Sequence, residues 1–294
     1  MEKSILETFC AHKMKIWDSL EKDGCCIVRN VVATETLDVI TSEFFDYIEA
    51  FQPGFQRNDI STWARVGLPL VHHGLMCLGT QKHAVHARTA CKPVFDSLFN
   101  TKDLLCSFEG THFNPPPRRV NTCGDIWYNP LNLQMVETRN IYSLRNDMIQ
   151  GILNLEDQTE ESSLFYVLPK SHLFHEELLL LKDDSVYLNP DMKDYLDYKG
   201  IRPQGVVLNR GDILLWQPHL VVGKGKASIK SSRYSLQVQM TFGLRRDNHQ
   251  QLKRTKYFQQ ARTTLHSLRP LPPDRSLRKP FPLTDDEVRY HGLI

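Results

Sequence analysis

The residues with the clearest chemical potential in this chain begin at Arg233. From there the sequence alternates without a break: Arg233, Ser235, Gln237, Gln239 and Thr241 are polar, while Tyr234, Leu236, Val238, Met240 and Phe242 are apolar. Successive side chains of a strand point to opposite faces, so this pattern predicts a β-strand with one apolar and one polar face. The polar face could meet water, or it could line a barrel that holds a polar ligand. Just upstream, Val206 to Leu208, the turn-forming Asn209-Arg210-Gly211-Asp212 and the apolar Ile213 to Trp216 predict a hairpin. A glycine- and lysine-rich loop then leads to the alternating run.

Other constellations carry less. His72, His73, His83 and His86 lie near Cys77 and Cys91, but the spacing fits no common structural zinc site, and a scattered His-rich loop is the simpler reading. His112 beside Glu109 could contribute to a metal centre only with ligands from elsewhere. Arg210-Gly211-Asp212 spells an integrin-recognition tripeptide, which in an intracellular chain is better explained as a turn. No glycine-rich phosphate loop and no Ser-His-Asp order is evident.

These residues need a scaffold, and composition bounds it. The chain has 294 residues, 41% of them hydrophobic and 24% charged, as in an ordinary globular protein. A net charge of +2 does not imply a polyanionic partner. The seven cysteines are odd in number and scattered, with no CxxC pair, which predicts reduced structural thiols and an intracellular, cytoplasmic setting. No apolar run is long enough for a signal peptide or a bilayer span, so membrane association is not expected.

Along the chain, residues 3–21 have mixed helical character and Cys25 to Val28 form a short strand. Leu37, Ile40, Phe44, Ile48 and Phe51 recur at helical spacing after Thr34, a candidate N-cap, and Pro53 ends the helix. Residues 54–82 look irregular, 85–98 helical, and 103–108 a short strand. Strands are predicted at 148–155 and 164–168, a leucine-rich helix from His172 to Leu181, and a charged excursion over 182–203. The tail from Arg245 to Lys279 is basic, but its charges are interspersed and lack an aromatic platform. A solvated helix face is therefore expected rather than nucleic-acid binding.

Taken in order, Asp23 to Asn30, Val167-Leu168-Pro169-Lys170-Ser171-His172, Gly211 to Trp216 and Arg233-Tyr234-Ser235 resemble the motifs of the phytanoyl-CoA dioxygenase family of Fe(II)/2-oxoglutarate oxygenases. Lys170 stands where that family has glycine. Pro282-Leu283-Thr284 and Gly292-Leu293 look like the C-terminal end of a branch of the family found in protists and large viruses. The resemblance implies a mainly β, α+β fold: a double-stranded β-helix of the jelly-roll or cupin-like kind with helices packed outside. It would fill 1–294 as a single domain, helical over about 1–100, with the β-helix core at about 101–245 and a basic tail over 246–294. It also implies that the polar face of strand 233–241 turns inward, and that Arg233 and Ser235 grip the far carboxylate of 2-oxoglutarate. Arginine's planar fork suits a carboxylate.

The same resemblance exposes a gap. Two histidines and one carboxylate should hold the iron, leaving open positions for 2-oxoglutarate and oxygen. The His-x-Asp pair should follow Trp127, yet one register puts Tyr128 and Pro130 at the ligand positions and the next puts Asn129 and Leu131 there. The distal histidine falls at Val222, eleven residues after Gly211 and eleven before Arg233, with His219 the only nearby stand-in. One remaining imidazole cannot hold a divalent ion against water. A catalytically degenerate relative with a binding or structural role is therefore expected, its barrel able to accept a small carboxylate. The alternatives are an active oxygenase that binds Fe(II) and 2-oxoglutarate through unorthodox ligands, or a virion or assembly component.

Overall fold

A computed structural model describes residues 14–63, 71–72, 75–116, 132–134, 147–183, 187–225, 227–228, 230–244, 251–262, 280–291 and 293. Helix α1 (14–23) turns at Gly24, with φ +80, into β1 (Cys25–Val28). Helix α2 (Thr34–Phe51) buries Leu37, Ile40, Phe44 and Ile48 as their spacing requires. Its N-cap is Ala33, which offers no side-chain hydrogen bond, so Thr34 is the first helical residue and not the cap. The stretch expected to be irregular contains a 3-10 turn (Ile60–Thr62) and two short strands, β2 (Val71–His72) and β3 (Leu75–Met76). Helix α3 (Lys82–Phe99) starts earlier than predicted and ends on left-handed Asn100, a residue type that tolerates this conformation.

The β-half follows as β4 (Leu104–Cys106), β5 (Thr111–Asn114), β6 (Asn132–Gln134), β7 (Met148–Asn154) and β8 (Phe165–Val167). After a 3-10 turn at Ser171–Phe174 come helices α4 (His175–Leu181) and α5 (Pro190–Tyr198). Then come β9 (Gln204–Val206), β10 (Ile213–Trp216), β11 (Val222–Lys224) and β12 (Ser235–Leu244). Helices α6 (Gln251–Gln259) and α7 (Asp285–Tyr290) complete the described elements.

Among the described residues the strands form two antiparallel sheets. The larger runs β1-β10-β7-β12-β5-β3-β2 with β4 also paired to β12, and the smaller runs β6-β11-β8-β9. One core lies outside the larger sheet, where Leu236, Val238, Met240 and Phe242 meet α2 and α3, and Phe95 stacks on Phe242 at 4.3 Å. A second lies between the sheets and joins Ile152, Leu214 and Trp216 to Phe165, Val167 and Val206. A third packs Leu178, Met192 and Leu196 of α4 and α5 against Leu168 and Val221. β10 faces apolar surroundings on both sides, which is why its sequence is a continuous apolar run instead of an alternation.

The expected hairpin at 206–216 does not form. β9 pairs with β8 in the smaller sheet, whereas β10 lies between β1 and β7 in the larger one. The Asn209–Asp212 turn therefore carries the chain from one sheet to the other. Gly211 adopts φ +88, and fully buried Asp212 accepts hydrogen bonds from the backbone N–H groups of Asn30 (3.1 Å) and Asn209 (2.9 Å) while pairing with Arg29. Turn chemistry was read correctly, but it is the same whether the flanking strands pair or part.

Two further departures concern helices. The charged excursion contains α5, whose start is specified by Asn189, which accepts from the Met192 N–H at 2.9 Å, followed by Pro190 at the first position. The basic tail is not uniformly solvated. Arg254 is buried, donates to the carbonyls of Cys106 and His291, and lies 4.8 Å over the Phe108 ring. All cysteines among the described residues are free thiols, and no helix among those residues is long and apolar enough to cross a membrane.

Asp212→Ala leaves two backbone N–H groups and one arginine without their shared, fully buried acceptor. We expect it to lower unfolding free energy by about 2–4 kcal/mol, measured by urea titration.

Candidate functional site

The interior between the sheets is polar on the side that β12 lines. With Leu236, Val238, Met240 and Phe242 committed to the helices, Ser235, Gln237, Gln239 and Thr241 face inward. The amphipathic reading of this strand therefore holds, and its polar face belongs to a barrel interior. In register beside it are His112 opposite Gln237 and Asn114 opposite Ser235 on β5, with Asn154 opposite Gln237 on β7.

Part of this wall is a closed hydrogen-bond chain. His112 Nε2 lies 2.9 Å from Gln239 Oε1, and Gln239 Nε2 donates to Glu109 Oε1 at 2.9 Å. Glu109 Oε2 accepts from Ser107 Oγ at 2.6 Å and Thr241 Oγ1 at 2.7 Å. Burial raises the Glu109 carboxyl above the ordinary carboxylate range, opposed by the hydrogen bonds from Ser107, Thr241 and Gln239. An amide thus sits between His112 and Glu109, so they are linked as a structural chain and do not converge on a common point.

The histidine and cysteine cluster also disperses. His83 is buried in α3 with Nε2 2.7 Å from Thr111 Oγ1, and burial pushes its imidazole down to about 3. His86 instead pairs with Glu43 at 2.9 Å, and the buried Cys91 thiol is pushed up by desolvation. Among the described residues no group of three His, Cys, Asp or Glu side chains could hold a metal ion.

The positions singled out by family resemblance divide into three groups. Tyr128, Asn129, Pro130 and Leu131 lie outside the described residues. Val222 opens β11 and packs against the inner apolar cluster, while buried His219 lies in the β10–β11 connection, its ring stacked on His175 with centroids 4.2 Å apart. Arg233 is half exposed just before β12, with Nη1 3.6 Å from Glu156 Oε1. Ser235 is buried, with Oγ 3.5 Å from the Ser163 carbonyl. Lys170, where the family has glycine, adopts left-handed φ 70, the backbone geometry that glycine would relieve.

Sequence reasoning missed Lys224. The glycine- and lysine-rich surroundings read as a loop, but β11 pairs on both edges, with β6 and β8, and Lys224 Nζ reaches Gln237 Oε1 of the opposite sheet at 3.0 Å. The only local signal was its spacing of two from Val222, the period of a strand. A separate cleft of about 790 Å³ between the β1 edge and β8–β9 is lined by Cys25, Ile27, Val167, Leu214, Lys170 and Lys199. Burial raises the Cys25 thiol to about 12, so it is no ready nucleophile there.

Two facing antiparallel sheets in this order, with helices on the outside, define a cupin-like double-stranded β-helix. Its solved neighbours include the non-haem alpha-ketoglutarate-dependent carbocyclase SnoK from nogalamycin biosynthesis, at a TM-score of 0.50 and 10% identity over 78% of this chain and 83% of that one. No protein-family model matches the chain. In sequence the chain is similar to two known proteins. It is 25% identical to the "Putative phytanoyl-CoA dioxygenase" of Dictyostelium discoideum over 242 residues, which cover 70% of this chain and 69% of the relative. It is 24% identical to the Ava biosynthesis cluster protein O of Aspergillus versicolor over 215 residues, covering 69% and 70%.

His83 generates a pH test. Its folded pKa lies below the unfolded value of about 6.5, so its contribution to stability is complete above that pH and is lost as pH falls toward about 3. Each pH unit below about 6.5 should cost about 1.4 kcal/mol through this group. Urea midpoints between pH 7 and pH 5 should fall more steeply for the wild type than for His83→Gln.

Proposed function

We propose that this protein is an oxygenase-fold binding protein that has given up iron chemistry and retains a barrel for a small carboxylate. The observation that carries the reading is Val222, a hydrocarbon on the inner side of β11 where the resemblance expects the distal imidazole. The segment Trp127 to Asn132 adds no His-x-Asp pair in either register. Residues at the expected ligand positions therefore do not fit Fe(II), which needs imidazole and carboxylate donors on one face of the ion. Arg233 supports the carboxylate half of the proposal, because among the described residues its fork is approached by Glu156 at 3.6 Å and it lies two residues before buried Ser235.

A rival reading is an active oxygenase with unorthodox ligands, drawing on His219 with Tyr128 or Asn129. Its support is that His219 and His175 bring two buried imidazoles together. Rings stacked 25° from parallel, however, do not aim two nitrogens at one ion.

Metal analysis of protein purified without chelators separates the two. We expect iron far below one equivalent per chain and conversion of 2-oxoglutarate to succinate no faster than in buffer. Stoichiometric iron together with protein-dependent succinate formation would overturn the proposal.

A further inference from the structure

Lys224 places a cation inside the barrel with no counter-charge among the described residues. Its side chain leaves the smaller sheet, and its ammonium uses one hydrogen bond, to Gln237 Oε1. No carboxylate of the described residues pairs with it, and burial alone pushes the group down to about 7. An ammonium carries three donors, so most of its hydrogen-bonding capacity is unspent.

The neighbouring side chains have the same deficit. Gln237 is fully buried, and with its oxygen taken by Lys224 its Nε2 has no partner. Asn114 Nδ2 is likewise buried without a partner. Asn114 faces Ser235 and His112 faces Gln237, so Asn114 and Gln237 are diagonal neighbours on one sheet face, about 7–8 Å apart by strand geometry. Three donors in want of acceptors therefore share one region with a single unpartnered acceptor among the described residues, Asn154 Oδ1 opposite Gln237, and one of the donors carries a charge. Water could accept from the two amides but would supply no negative charge. A methionine or leucine at position 224 would simply have extended the apolar cluster that Phe165, Val167 and Val222 already form.

We propose that Lys224, Gln237 and Asn114 form a binding site for a small carboxylate inside the barrel. The carboxylate oxygens accept from Lys224 Nζ, Gln237 Nε2 and Asn114 Nδ2, and the negative charge stabilises the ammonium form of the lysine. Lys224 itself keeps some solvent contact. This inference rests on the carboxylate-binding reading above but places the main anchor on β11 and the middle of β12 instead of at Arg233.

Calorimetric titration with sodium succinate, against sodium chloride at matched ionic strength, tests it on the full chain in three forms: wild type, Lys224→Met and Arg233→Ala. We expect Lys224→Met to weaken succinate binding by at least about tenfold. With no ligand it should unfold at a temperature no lower than wild type, because a desolvated cation has been replaced by a side chain of similar length. Unchanged succinate affinity in Lys224→Met overturns the assignment. If only Arg233→Ala loses binding, the carboxylate reading survives with Arg233 as its anchor and Lys224 is structural. Absence of succinate binding by wild type overturns both.

Discussion

The architecture depends on burying both faces of β12, a strand whose faces are chemically opposite. Leu236, Val238, Met240 and Phe242 satisfy one face against α2 and α3. The other face carries amides and hydroxyls, and burying those is tolerable only if each finds a partner. The second sheet supplies some of those partners by closing over the first, with Lys224 reaching Gln237 across the gap. The chain thus folds as a two-layered β-helix because a single sheet could not cover this strand twice.

The interior solves its polar problem in two ways. Near Glu109 the solution is internal: His112, Gln239, Ser107 and Thr241 form a linked chain around one carboxyl. Such a network rigidifies the wall and leaves little capacity for a ligand. Around Gln237 the solution is incomplete, with donors in excess of acceptors. Two halves of one wall therefore differ in kind: one is structural and the other is poised to receive an acceptor. The described wall of the smaller sheet combines the hydrocarbon Val222 with a lysine two residues on.

Much of this was legible beforehand. Strict alternation over 233–242 identified β12 and its two faces, because a period of two has no other common structural meaning. The spacing of Leu37, Ile40, Phe44 and Ile48 likewise located α2 and its buried side. Asn189-Pro190 carried the start of α5 in plain view but was hidden by the surrounding charge. The hairpin expectation failed because Gly211 and Asp212 encode a reversal of direction without encoding which strand waits on the far side. Arg254 shows the same gap: an interspersed basic residue looks solvated until carbonyls 148 and 37 positions away accept its protons.

By itself, then, the sequence determined local periodicity, turn chemistry and the order of motifs, since each depends on neighbours a few residues apart. Through the family resemblance, the order of motifs was enough for the fold class and for the expectation of an imidazole at position 222, where valine stands. Tertiary structure decided which polar side chains share a cavity, because Lys224 and Gln237 lie on different sheets and meet only when those sheets face one another. Partnering across a barrel is set by sheet order and register over the whole chain, and no window of sequence around either residue contains it.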